Sequence, residues 1–155
     1  MRIERDDLTR QAVVDLVALH QRAAHANSPP DYVFALDLAG LRDPSVVVWS
    51  AWDEAGGDST LLGIVAVKPL DAGHCELKSM RTHPDHVRRG VGAALLERAI
   101  RHARDMGATR ISLETGGNAA YAAARALYER AGFVRCKRFG SYPPSRFSRY
   151  YTLDL

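Results

Sequence analysis

Residues 87–93, with the sequence VRRGVGA, join an apolar strand-like run to a helix-like pattern. The first turn of a helix leaves about four backbone N–H groups without internal partners, and the helix dipole adds roughly half a positive charge there. Phosphate oxygens accept hydrogen bonds from such groups. Gly90 and Gly92 leave the backbone open to a bulky anion, and Arg88 and Arg89 can reach its outer oxygens. The spacing predicts a site for a phosphate-bearing ligand.

Two common phosphate-binding loops do not fit this segment. The dinucleotide fingerprint requires a third glycine three residues after the second, and Leu95 occupies that position. The nucleoside-triphosphate loop requires Gly-Lys followed by Ser or Thr, and the chain has no such sequence. A tight strand-to-helix turn without a ligand is the remaining alternative.

Hydrophobic periodicity predicts the elements that must position this loop. Turn-rich sequences at 27–30, 53–59 and 71–73 separate the elements. The predicted strands cover residues 2–5 (an edge strand), 46–52, 61–68, 75–82, 110–114, 133–139 and 149–155, and the predicted helices cover residues 13 to about 25, 33–41, 91–107 and 119–131. The order predicts one α/β (α+β) domain over residues 1–155, with a mixed, mostly antiparallel sheet of about seven strands and about four helices.

Composition is that of a globular protein, with 46% apolar residues, 25% charged residues and a net charge of +3 over 155 residues. No apolar run approaches the ~20 residues that span a bilayer, and the first residues lack a signal-peptide core. Cys75 and Cys136 lie in strand-like runs without zinc or redox spacing. We expect a cytoplasmic protein with buried thiols and with neither a metal nor a membrane partner.

Four blocks of sequence, in order, carry a resemblance that spans nearly the whole chain. They are residues 76–84 (ELKSMRTHP), 88–92 (RRGVG), 113–116 (LETG) and 126–133 (ALYERAGF). Together they resemble the GNAT superfamily of acyl-coenzyme A-dependent N-acyltransferases. The chain is most similar to a small bacterial branch of unassigned substrate, with which it shares His20, Ser28-Pro29-Pro30, residues 35–38 (ALDL) and the LETG block.

This resemblance implies acetyl-CoA as co-substrate. The backbone N–H groups of the loop would hold the pyrophosphate, and β-strand residues would pair with the pantetheine arm beside a splayed neighbour. Val87 departs from the Gln or Arg of the superfamily pattern. Many members carry an asparagine where this chain has Tyr121, and Asn118 is the expected substitute. The implied cofactor contacts are Met80, Arg81, Thr82, Val87, Arg88, Arg89, Gly90, Val91, Gly92, Ala93 and Asn118.

The resemblance also assigns the chemistry of amine acylation, which needs an unprotonated amine, a stabilised oxyanion and a proton for the leaving thiolate. Tyr128 resembles the family tyrosine that offers its hydroxyl to the coenzyme sulfur; a core aromatic is the alternative. Glu76 matches a carboxylate that acts as general base through water in some members. Glu114, His74 and His83 compete with Glu76 for this role, and a backbone N–H near Met80 would serve the oxyanion.

The resemblance places the acceptor site near the first helix and the C-terminal strands. Tyr32, Phe34, Tyr142, Phe147 and Tyr150 are the aromatic candidates for lining it. We expect the acceptor to be a small-molecule amine or amino acid, with a peptide as an alternative. A non-catalytic acyl-CoA-binding or sensing module is a second alternative. Without a recognised module, the basic helix does not predict nucleic-acid binding. Exposed edge strands allow a homodimer.

Overall fold

A computed structural model of the protein describes residues 1–55 and 59–155. Seven strands form a single sheet in the order β1-β2-β3-β4-β5-β7-β6. The strands are β1 (Arg2–Asp6), β2 (Val47–Asp53), β3 (Thr60–Asp71), β4 (His74–Thr82), β5 (Arg110–Gly116), β6 (Val134–Arg135) and β7 (Ser148–Asp154). Every neighbouring pair is antiparallel except β4 and β5, which are parallel. The predicted mixed sheet is confirmed, with β1 at its edge.

Four α-helices cover the two faces of the sheet. They are α1 (Gln11–Asn27), α2 (Leu38–Leu41), α3 (Val91–Asp105) and α4 (Ala122–Arg130), and short 3-10 turns occur at Pro30–Tyr32, Pro84–His86 and Ala119–Tyr121. No helix among the described residues is long and apolar enough to cross a membrane. Part of the predicted 53–59 turn, residues 56–58, lies outside the described residues.

The sheet is covered on both faces, so its central strands are apolar almost without interruption. In β3, Val65 and Val67 pack with α3 and α4, while Ile64 and Ala66 pack with α1 and α2. The face of α3 that periodicity predicts is the buried one; it contains Val91, Leu95, Leu96, Ala99 and Ala103. This packing fixes α3 against the sheet, with its N-terminus beside the end of β4.

The predicted helix at 33–41 is wrong over its first half. Only Leu38–Leu41 is helical, beginning where the Asp37 side chain accepts a hydrogen bond from the Gly40 N–H at 2.7 Å. Two carbonyls before this helix accept hydrogen bonds from distant side chains. Lys78 Nζ donates to the Phe34 carbonyl, and Gln21 Nε2 donates to the Ala35 carbonyl. Tertiary hydrogen bonds therefore replace the helical ladder.

The predicted strand at 133–139 is also wrong beyond its first residues. Regular pairing covers only Val134–Arg135, although the Cys136 N–H still donates to the Tyr150 carbonyl. Phe139 then packs against the rings of His74, Tyr142 and Tyr150, with centroids 5.4–5.9 Å apart. Aromatic packing, rather than strand pairing, therefore holds this segment. The expected burial of the thiols is confirmed for Cys75 in β4, whereas Cys136 is half-buried outside a strand.

Candidate active site

The parallel pair of β4 and β5 opens partway along its length. Pairing runs from His74–Arg110 to Glu76–Ser112 and ends there, although β4 continues to Thr82 and β5 to Gly116. The pairing of β4 with β3 shifts by one residue around Ser79, which has a φ of +48°. A bulge bends a strand locally. The splay that the resemblance implied is therefore present, and the edge of β4 that faces β5 is free beyond Glu76.

A cleft of about 680 Å³ fills the space between the separated strand ends. The N-terminus of α3 borders one end of this cleft. Gly90 precedes the helix with a φ of +78°, and no side chain in the described parts of the protein caps the first turn. Residues 87, 88 and 90–93 line the cleft. A first turn without a cap leaves its N–H groups for a ligand, so the predicted anion site has the required geometry.

Two predicted cofactor contacts have side chains outside this cleft. The Arg89 guanidinium forms an ion pair with Asp53 at 3.0 Å and a hydrogen bond with His86 at 3.0 Å. The Asn118 amide donates to the Asn27 carbonyl at 2.8 Å. Tyr121 lines the cleft, and its hydroxyl lies 2.7 Å from the Ser28 hydroxyl. The side chains of Arg89 and Asn118 therefore link surface segments of the protein. In the loop, Arg89 can contact a ligand only through its backbone.

Tyr128 reaches the cleft from α4. Its side chain is 6% exposed and lines the cleft wall. Burial, with the nearby Glu114 carboxylate, raises the pKa of Tyr128 well above its usual value. The hydroxyl therefore keeps its proton across the physiological range and can act as a donor.

Glu114 lies on the diverging end of β5 and is the single carboxylate among the described residues that line the cleft. Burial, reinforced by the Glu76 carboxylate, raises the pKa of Glu114 to about 7. Lys78 and a hydrogen bond from the Ser148 hydroxyl at 3.2 Å oppose this shift. A carboxylate with such a pKa changes its protonation near neutral pH, as a general base does.

Glu76, which the resemblance favoured as base, is 5% exposed and lies one residue away from the cleft. Its carboxylate accepts a hydrogen bond from the Tyr142 hydroxyl and lies 3.6 Å from Lys78 Nζ. The two histidine candidates also lie outside the cleft wall. His74 contacts the Ser112 hydroxyl at 2.7 Å, and His83 lies beside Asp85. Of the proposed bases, the structure brings Glu114 to the same cleft as Tyr128.

Aromatic side chains form part of the cleft wall. Tyr32, Phe34, Tyr142 and Phe147 line it, whereas Tyr150 is buried behind Tyr142 with ring centroids 5.8 Å apart. Sequence reasoning did not select Lys78, whose ammonium donates to the Phe34 carbonyl at 3.1 Å and the Tyr142 hydroxyl at 2.9 Å. The period of two along β4, which puts Lys78 on the same face as Glu76, was the available signal.

A parallel strand pair that opens beside an uncapped helix N-terminus is the arrangement expected of an acyl-CoA-dependent transferase. The family model described as the Acetyltransferase (GNAT) family matches residues 11–133. The chain therefore belongs to the GNAT family and is an acyltransferase enzyme.

Known proteins agree with this assignment. The chain is 43% identical over 155 residues to the "Uncharacterized N-acetyltransferase YsnE" of Bacillus subtilis (strain 168), covering 100% of both chains. It is similar to the crystal structure of a putative acyl-CoA N-acyltransferase from Klebsiella pneumoniae, with a TM-score of 0.81 and 25% identity over 99% of this chain and 97% of that one. A Bacillus subtilis acetyltransferase in complex with CoA shares the fold, with a TM-score of 0.73 and 20% identity over 99% and 98%.

Proposed function

We propose that this enzyme transfers an acetyl group from acetyl-CoA to the primary amine of a small molecule or amino acid, by direct attack on the thioester. One observation carries the proposal: a single cleft connects the uncapped N-terminus of α3 with the side chains of Glu114 and Tyr128. Members of the GNAT family use acetyl-CoA, and the solved Bacillus subtilis acetyltransferase with this fold contains CoA.

The residues present fit the parts of this co-substrate. The first turn of α3 offers N–H groups to a pyrophosphate. Among residues 1–55 and 59–155, no neighbouring heavy atom lies within 4 Å of the position that a Cβ of Gly90 would take. The free edge of β4 at Met80–Thr82 offers backbone partners to the two amides of an extended pantetheine arm, as an added strand would use them. When bound, acetyl-CoA supplies an acyl carbon activated as a thioester.

Glu114 and Tyr128 then divide the proton transfers. Glu114 accepts the amine proton, directly or through water, because its carboxylate is half-buried in the cleft and has a pKa of about 7. Tyr128 holds a proton on its hydroxyl for the departing thiolate. A backbone N–H near Met80, next to the bulge at Ser79, is the proposed donor to the carbonyl oxygen on which charge develops. Glu76 becomes a positioning residue that holds Tyr142.

Thermal unfolding tests the co-substrate assignment. At 100 times its dissociation constant, a ligand that binds only the folded state adds ~2.7 kcal/mol, or roughly 5 to 11 °C at this size. We expect this shift with acetyl-CoA and none with NADH or ATP at the same concentration. Release of free thiol in the presence of small amines, followed by a thiol reagent, then measures transfer. An absent shift, with calorimetry detecting no binding, would remove acetyl-CoA from the proposal.

A further inference from the structure

Arg81 projects from β4 into the cleft on the side covered by α1. Its Nε atom is buried without a hydrogen-bond partner, and its guanidinium forms no ion pair with any residue in the described ranges. A buried charged donor without a partner is costly. An anionic group on a ligand would remove this cost.

The neighbouring cation, Lys78, is already engaged. Its three ammonium donors face the Phe34 carbonyl, the Tyr142 hydroxyl and the Glu76 carboxylate, at 3.1, 2.9 and 3.6 Å. His20 lies near both cations and is neutral at physiological pH, because burial and the charges of Arg81 and Lys78 lower its pKa to about 4. Arg81 is therefore the cation on this wall that can bind an anion.

Two further cations line the cleft, but at a different place. Arg88 precedes the first turn of α3 and Arg130 ends α4, and both are exposed. Arg88 adjoins the proposed pyrophosphate site at the start of α3, and Arg130 lies at the C-terminal end of α4. On the acceptor side, the charges available to a ligand reduce to the Arg81 guanidinium and the Glu114 carboxylate.

We propose that the acceptor is an amino acid or another small amine with a carboxylate, whose carboxylate is bound by Arg81 while its amine faces Glu114. The inference rests on the proposed function and narrows its substrate class. A guanidinium presents a planar fork that matches a carboxylate in two parallel hydrogen bonds. One such group balances the single charge of a carboxylate, whereas a phosphate dianion calls for more. Tyr32, Phe34 and Phe147 give the remaining wall an apolar surface for the side chain.

Matched amines test this assignment in the whole enzyme with acetyl-CoA. Amino acids with apolar or aromatic side chains are compared with their amides and with the corresponding amines that lack the carboxylate. We expect kcat/KM to be about 10- to 100-fold higher for the carboxylate-bearing member, the factor typical of a charge-assisted hydrogen-bonded pair. Preference for the amides or decarboxylated amines would overturn the inference while leaving acetyl transfer itself established.

Substitution of Arg81 supplies the second arm. Arg81→Met should remove the preference, so that both members of a pair react at the lower rate. The KM for acetyl-CoA should stay unchanged, because β4 offers the pantetheine arm its backbone and not the Arg81 side chain. Arg81→Lys should retain part of the preference for the carboxylate-bearing amine. Arg101→Met is the matched control, because Arg101 is an exposed cation paired with Glu97 on α3. Calorimetric titration of the amino acid into the enzyme with saturating CoA measures the loss of amino-acid affinity in Arg81→Met without turnover.

The outcomes separate the two proposals. A raised KM for acetyl-CoA in Arg81→Met, with the preference intact, would assign Arg81 to the cofactor and overturn the inference. Binding of acetyl-CoA without transfer to either member of any pair would overturn both the small-amine function and the inference. Circular dichroism and the unfolding temperature of each variant establish that it is folded.

Discussion

Glu76 and Glu114 are carboxylates of neighbouring parallel strands, and their surroundings give them different roles. Glu76 lies within the paired part of β4 and is held by Tyr142 and Lys78. Glu114 lies two residues beyond Ser112, the last residue of β5 that pairs with β4. At Glu114 the two strands have separated and the cleft begins. Burial raises the pKa of Glu114 to about 7. At the residue scale, position relative to the opening decides which carboxylate can meet a substrate.

Tyr128→Phe tests the proposed proton donor. The ring stays in its buried site, so folding and acetyl-CoA affinity should change little. We expect kcat to fall about 10²-fold, the lower limit of what positioned acid catalysis contributes. Tyr151→Phe is the matched control, since Tyr151 is also buried but its hydroxyl donates to Glu129 at 2.7 Å. Unchanged kcat in Tyr128→Phe would exclude the hydroxyl from the mechanism.

The pH profile distinguishes Glu114 from Glu76. A base works when deprotonated, so kcat/KM of the wild type should rise through pH 7 as Glu114 loses its proton. Glu114→Gln should lower kcat/KM by about 10²-fold and abolish this inflection, whereas Glu76→Gln should retain it. Ionisation of the acceptor amine contributes equally to all three profiles. Loss of the inflection in Glu76→Gln alone would return the role of base to Glu76.

The two ends of α3 illustrate function and structure at the element scale. Both ends carry a glycine in the left-handed region, Gly90 with φ +78° before the first turn and Gly107 with φ +80° after the last. Neither has a neighbouring heavy atom of the described residues within 4 Å of the position of an added Cβ. Only the first of them lines the cleft. Both positions require a left-handed backbone conformation, but they differ in exposure to the cleft.

Gly90→Ala and Gly107→Ala therefore form a matched pair. Each should lower the free energy of unfolding by about 1 kcal/mol, because alanine is strained at positive φ. Only Gly90→Ala should raise the KM for acetyl-CoA, since its strain and its methyl group act beside the proposed pyrophosphate site. Denaturant unfolding and steady-state kinetics measure the two effects. Equal changes of KM in both variants would mean that the α3 N-terminus does not bind the co-substrate.

The whole molecule combines a continuous sheet with an opening in its middle. Two apolar clusters, one on each face, stabilise β2, β3 and the paired part of β4. The opening leaves a carboxylate and a guanidinium of the cleft, Glu114 and Arg81, without an ion-pair partner in the described parts of the chain. The stability supplied by the core offsets the cost of keeping these groups ready for a ligand.

Glu114→Gln should reveal this cost as a pH-dependent gain in stability. The folded protein keeps the Glu114 proton up to about pH 7, whereas the unfolded chain releases it near the ordinary value of 4.5. Wild-type stability therefore falls relative to the variant as the pH rises from 4.5 to 7. With partial solvent screening we expect a difference of about 2 to 3 kcal/mol at pH 8 relative to pH 4. A constant difference across this range would contradict the raised pKa.

Much of the fold could be predicted because local periodicity reports directly on burial. The apolar face of α3 and the continuous apolar run of β3 reflect the elements that pack against them. The structure buries both, as the sequence predicts. The predictions for 33–41 and 133–139 were wrong where distant groups intervened, namely Lys78 at the Phe34 carbonyl and the aromatic contacts of Phe139. Sequence patterns do not contain these partners.

The sequence by itself determined the glycine turn that opens α3, since Gly90 and the helix that follows it need only local backbone chemistry. Helical periodicity also predicted that Tyr128 lies on the apolar side of its helix, and Tyr128 is buried. Only the tertiary structure separated Glu114 from Glu76 and turned the side chains of Arg89 and Asn118 away from the cleft. It also left Arg81 beside α1 without a partner among the residues that the structure describes. These outcomes depend on where two parallel strands part and on contacts with Asp53 and Asn27. Both are fixed by packing between residues far apart in the chain.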